Sequence, residues 1–163
     1  MSLQTLKSSR LPPDDDSYRD VYNKIQSGLL GRPYYIRSAT NDMFDESGFF
    51  VKYSAASGGI FLDVGIHDID IARWLLDVAN PENLKNPQKQ VTSVYATGLN
   101  VHHPDLAQTG DCDNGFTIIE FENGTKCIVH LSRTATNGHD APCEVFGSKA
   151  KITVNWASRT NLG

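Results

Sequence analysis

No stretch of this 163-residue chain approaches the roughly 18 consecutive apolar residues of a membrane-spanning helix. The first residues, Met1 to Arg10, are largely polar and lack the hydrophobic segment of a secretory signal. Lysine and arginine never form a block, and the net charge is −4 with a pI near 5.7. The phosphate footprint of a nucleic-acid binder is therefore missing. Cysteine is scarce: Cys112, Cys127 and Cys143 are odd in number, far apart and without CxxC spacing. That excludes a disulfide framework, and a zinc site would have to borrow His102, His103 or His139 without favourable spacing. The expectation is buried thiols in a reducing, cytoplasmic compartment. Neither GxGxxG nor GxxxxGK[ST] occurs, so the chain builds no phosphate cradle of its own.

What is present suits a globular domain, or a piece of a larger protein, with 39% hydrophobic and 21% charged residues. Residues 1–16 read as a tag, linker or flexible lead, with Asp14-Asp15-Asp16 as a solvated turn. Residues 17–163 read as one domain. A helix is expected from about Ser17, where Tyr18, Val21, Tyr22, Ile25 and Leu29 recur at three- and four-residue steps. Gly28 and Gly31 supply its stop. Tyr34–Thr40 has the aromatic and β-branched content of a strand. Residues 41–59 read as a long polar loop with embedded aromatics. A second polar stretch, Val78 to Gln90, reads as a surface excursion.

From Val91 the period changes to two. Strands are predicted at Val91–Val101, Phe116–Phe121, Lys126–Ser132, Pro142–Phe146 and Lys151–Trp156. Asn123-Gly124 marks a tight hairpin between the second and third of these. The order helix, strand, helix, then at least five strands predicts an α+β fold, with a predominantly antiparallel open sheet and helices packed on one face.

The chemistry concentrates after Gly58-Gly59. One continuous amphipathic helix is expected there, with Asp63, His67, Asp70 and Trp74 on one face. Ile66, Ile69, Arg73 and Leu76 form a neighbouring stripe suited to the core. At i, i+4 the Asp63 carboxylate can lie against the His67 imidazole and fix its tautomer. The histidine could then take a proton from an alcohol and return it to a carbonyl. On spacing alone, the simpler reading is a capped helix with an interior histidine. A mixed metal site of His67, Asp63 and Asp70 is the third reading.

The run Ser57-Gly58-Gly59-Ile60-Phe61-Leu62-Asp63-Val64-Gly65-Ile66-His67-Asp68-Ile69-Asp70 resembles the signature of the Gfo/Idh/MocA oxidoreductases. Within them it is most similar to myo-inositol dehydrogenases. Gly28–Pro33, Gly110–Asn114, Ser132–Asp140 and Glu144–Lys149 resemble further blocks of that family. The resemblance implies the C-terminal, substrate-binding domain of an enzyme that oxidises a CH–OH group of a polyol, inositol or sugar. It implies His67 as acid/base with Asp63 as partner, and Asp70 and His139 as substrate contacts. NAD or NADP would be bound mainly by a Rossmann domain that this sequence lacks, so the fragment alone is expected to be inactive. Relatives also continue beyond the point matching Gly163, so the domain reads as truncated there. Homo-oligomerisation through the open sheet is implied, with no nucleic-acid or membrane partner. The alternative is a non-catalytic oligomerisation or sugar-binding module of the same fold; a metal-dependent sugar isomerase or hydrolase is the remaining rival.

Overall fold

The computed structural model describes residues 15–78 and 90–155. The acidic lead before Asp15, the middle of the Val78–Gln90 stretch and Trp156 lie outside the described residues.

Helix α1 spans Asp16–Gln26. Asp15 is its N-cap, and its carboxylate accepts the Ser17 N–H at 2.7 Å. Asp15 and Asp16 thus belong to a helix start rather than to a free turn, as the orphan donors there require. Tyr18 and Val21 are buried, with Tyr22 and Ile25 packed against the core. Leu29 departs from the expected stripe: it lies past the helix end and is exposed, whereas Leu30 is fully buried. The reason is the left-handed turn at Gly28 (φ 76°), which rotates the chain after Ser27.

Six strands form one sheet: β1 Pro33–Met43, β2 Val91–Leu99, β3 Asn114–Phe121, β4 Lys126–Ala135, β5 Cys143–Gly147 and β6 Lys151–Val154. Their order is β2-β3-β4-β1-β5-β6. Every pairing is antiparallel except β1 with β4, which run parallel at the centre. The α+β prediction with a mostly antiparallel sheet holds. The parallel pair was outside it, because β1 inserts between β4 and β5, both distant from it in sequence, and no local turn sets its direction.

One sheet face is covered and the other open. Cys127, Val129, Leu131 and Arg133 on β4 point to the covered side, as do Thr117, Ile119 and Phe121 on β3. Their neighbours Phe116, Ile118 and Ile128 stand on the open side, each close to 40% exposed. Helix α4 (Gly65–Leu75) lies over β1 and β4, and α1 lies over β6.

Two expectations are corrected. Residues 41–59 are not one loop: β1 continues to Met43, and Phe49–Ser57 form helix α2. Its periodicity is faint because only Ser54 is buried, while Phe49 and Tyr53 stack on each other at 5.3 Å along its outer side. The helix after Gly59 is also not continuous. It is a short α3, Ile60–Asp63, then α4, with Val64 (φ −103°, ψ −49°) at the joint. The buried stripe of α4 is accordingly Gly65, Asp68, Ala72 and Leu75, and Ile66 is exposed. Trp74 leaves the expected polar face and stacks on Tyr22 of α1 at 4.7 Å.

Candidate active site

Two glycines aim the chain into the site. Gly58 ends α2 at φ 82°, and Gly59 follows at φ 85° with ψ 174°. These are backbone conformations that side chains rarely tolerate. A Cβ on Gly59 would lie 2.8 Å from Asp111 Oδ1. That close approach lets Asp111 Oδ1 accept the N–H of Ile60, the first residue of α3, at 2.8 Å, together with the Cys112 N–H at 2.8 Å.

Asp63 ends α3. Its Oδ2 accepts from Arg133 Nη2 at 3.0 Å, while Arg133 Nη1 donates to Asp111 Oδ2 at 2.9 Å. The guanidinium is fully buried, and Phe50 of α2 covers it, 4.9 Å from the ring centroid. Burial pushes the Asp111 carboxyl up. The Ile60 and Cys112 N–H groups, the Ser54 hydroxyl and Arg133 outweigh it and hold the group below the usual carboxylate range. The nearby Asp113 behaves alike. It accepts the N–H groups of Val101, His102 and His103 at 2.7–3.0 Å, and these bonds overcome its burial.

Helix α4 starts over Leu131 of β4 and Thr40 of β1, in the carboxyl halves of the parallel strands. Gly65 permits this, since a Cβ there would meet Leu131 Cδ1 of β4 at 2.8 Å. Asp68, buried, accepts from the Ser38 hydroxyl and, at 2.9 Å, from Thr40 Oγ1, both on β1. Burial raises this carboxyl, and the two hydroxyls and the His67 charge offset it only in part. Pinned in this way, α4 presents His67 on its first turn, exposed to solvent. The expected Asp63–His67 contact is absent: among the described residues no hydrogen bond or ion pair joins them. The break at Val64 and the pull of Arg133 separate two residues that ideal helix spacing would bring together.

Asp70 lies one turn beyond His67 and bonds Arg73 Nη1 at 3.3 Å. His139 sits on the loop after β4, exposed, with Nδ1 3.0 Å from Asp42 Oδ1. That loop is tied to the end of β1 by reciprocal backbone bonds between Asn41 and Asp140. Leu131, which a Cβ on Gly65 would meet, pairs with Thr40 of β1, one residue before that tie. The α3–α4 joint and the His139 loop therefore converge on one end of the sheet. This is the place where sheets with parallel strands commonly bind ligands.

Arg133, Asp111 and Asp68 carry much of this geometry, and sequence reading assigned them no role. One signal was available for Arg133. It occupies the inward-facing phase of β4 after Cys127, Val129 and Leu131, where an arginine demands a buried anionic partner. Among the described residues, no group of three His, Cys, Asp or Glu side chains is placed to hold a metal ion. The three cysteines are free and buried.

Comparison with known proteins bears on the family and the fold. Residues 18–153 match the family model described as the GFO/IDH/MocA C-terminal domain. The chain is 37% identical over 140 residues to the scyllo-inositol 2-dehydrogenase (NAD(+)) of Bacillus subtilis, covering 86% of this chain and 37% of that protein. It is 30% identical over 148 residues to the myo-inositol 2-dehydrogenase of Thermotoga maritima, covering 91% and 40% respectively. The crystal structure of scyllo-inositol dehydrogenase from Lactobacillus casei, with bound NAD(H) and scyllo-inositol, superposes with a TM-score of 0.74. There the identity is 32%, over 91% of this chain and 41% of the other. The chain thus spans about two fifths of the length of these relatives.

Proposed function

This chain belongs to the GFO/IDH/MocA family through its C-terminal domain, and from that premise we propose that it is the substrate-facing part of an NAD(P)-dependent inositol or polyol dehydrogenase. The observation that carries the reading is the exposed His67 on the first turn of α4. Its helix starts over the carboxyl halves of β1 and β4, one short joint away from an Asp63 carboxylate held in place by a buried arginine.

The residues do not fit a dinucleotide by themselves, since the sequence has no glycine-rich strand-to-helix turn. The cofactor belongs mainly to a nucleotide-binding domain outside this chain. When bound, the nicotinamide supplies the hydride acceptor. His67 takes the hydroxyl proton as the carbinol carbon is oxidised, and returns it in the reverse direction. Asp63 Oδ1, which accepts no bond from a described residue, is left for a substrate hydroxyl. Asp70 and His139 contact other hydroxyls of the polyol. On this reading the chain does not turn over substrate alone, and it works in the cytoplasm, where its three free cysteines stay reduced. No described helix is long and apolar enough to cross a membrane.

The test is NAD(P)+-dependent oxidation of scyllo- and myo-inositol by the full-length two-domain enzyme. His67→Ala should lower kcat by about 10²–10⁴-fold, the contribution of a general acid/base. Unchanged turnover would sink the role given to His67. A second reading, a non-catalytic assembly module, is favoured by the apolar open face carrying Tyr95, Phe116, Ile118 and Ile128. Assembly does not require the chemistry to be lost, and we propose that the open face joins copies of the enzyme.

A further inference from the structure

We propose that Arg133 is a positioning residue of the dehydrogenase, acting through Asp63 rather than on substrate; the inference rests on the functional reading above. The guanidinium has no solvent exposure, whereas the Asp63 side chain it holds is a quarter exposed. Arg133 therefore reaches the site only through that carboxylate.

Its other fork sets where the first one points. Nη1 is held by Asp111, whose remaining oxygen accepts the N–H groups opening α3 and following Asp111 itself. A planar fork bridging two carboxylates transmits position, because moving one end rotates the other. Gly59 allows Asp111 this close, and Phe50 closes the remaining face of the guanidinium. The start of α3 and its end at Asp63 are thus fastened to one rigid group on β4. The α3–α4 break makes such a fastening necessary: a continuous helix would carry Asp63 in register with His67, and a broken one does not.

Arg133 Nε, buried, has no hydrogen-bond partner among the described residues. The orphaned donor adds a cost to the pair, and a buried ion pair often contributes little net stability over an apolar replacement. The arrangement is better explained by the position it enforces on Asp63. Two-point fixation also selects one Asp63 rotamer and leaves Oδ1 as the single oxygen offered to the site.

The test is a double-mutant cycle in the full-length enzyme, with Arg133→Met, Asp63→Asn and the pair, read in kcat for inositol oxidation. Arg133→Met should lower kcat about 10- to 100-fold in the parent, as loss of a supporting partner does elsewhere. In the Asp63→Asn background it should lower kcat by less than about 3-fold, because partners acting as a unit are non-additive. A merely structural role would give the same loss in both backgrounds and overturn the proposal.

Should Arg133→Met not fold, Asp111→Asn reads the same coupling. An Asn carbonyl can keep the Ile60 and Cys112 bonds, while its amide faces Arg133 Nη1 donor to donor. Its loss in kcat should likewise vanish in the Asp63→Asn background, and persistence there overturns the proposal. A parent enzyme that oxidises no polyol overturns the functional reading and this one together. A parent that turns over normally, with variants that do so equally well, overturns this one alone.

Discussion

At the scale of single residues, the site end of the sheet is held by carboxylates whose ionisation is unequal. Asp111 and Asp113 are kept below the ordinary range by the N–H groups they accept, against the opposing effect of burial. Glu144 is kept there by Lys151 and Arg37, again against burial. A carboxyl with a depressed folded pKa contributes stability that is complete above its unfolded value of about 4, and that is lost as pH falls through the folded value. Asp68 has the opposite sign. Its folded pKa is raised, so its penalty is absent in acid and grows as pH rises past the unfolded value. Three groups outweigh one, so the melting temperature should fall between pH 5 and pH 3. Calorimetry across that range should show a shallower fall for Asp113→Asn, which starts less stable because its amide can accept fewer of the N–H bonds. A parent melting temperature flat over the range would refute this assignment.

At the scale of elements, the joint between α2, α3 and α4 is where sequence and structure part company. The period of the Gly59–Leu76 segment suggests one helix, since Asp63, His67 and Asp70 keep helical spacing. The break at Val64 is decided by Gly65 fitting against Leu131 and by Asp111 binding the start of α3. Neither partner is near in sequence. Gly59→Ala tests the joint. The new methyl group meets both an unfavourable positive φ and the Asp111 carboxylate at 2.8 Å. We expect a loss of about 1–3 kcal/mol in urea unfolding, the usual cost of a strained backbone position, with a fall in kcat at nearly unchanged cofactor affinity. Equal loss of cofactor binding would place the damage elsewhere. The unforeseen α2 has the same origin: its inner face is a single buried serine, and its cover for Arg133 comes from Phe50, which a linear reading places in a loop.

At the scale of the whole molecule, the helices cover one face of the sheet and leave the other exposed. Ile118 pairs across the sheet with Tyr95 and Ile128, and all three lie on the open side. Such a face, with Phe116 stacked on His130 beside them at 4.9 Å, is larger in apolar content than scattered surface residues would be. On the proposal that this face joins copies of the full-length protein, Ile118→Lys should give a smaller species than the parent in light scattering. Because the side chain is already 43% exposed, protomer stability should change by only about 0.5 kcal/mol. A variant that keeps the parent mass would remove the open face from the assembly.

The amino-acid sequence by itself determined the elements with strong local signals. They are the capped α1, the Asn123-Gly124 hairpin, the alternation of β3 and β4, the α+β class and the glycine-led block that holds Asp63 and His67. Each rests on interactions within a few residues or on a period that burial on one face imposes. The tertiary structure alone decided the parallel pairing of β1 with β4, the break at Val64 and the partner of Asp63. Those depend on contacts across some 70 residues of chain, as between Asp63 and Arg133, and a buried charge takes the partner that the fold brings to it, not the one nearest in sequence.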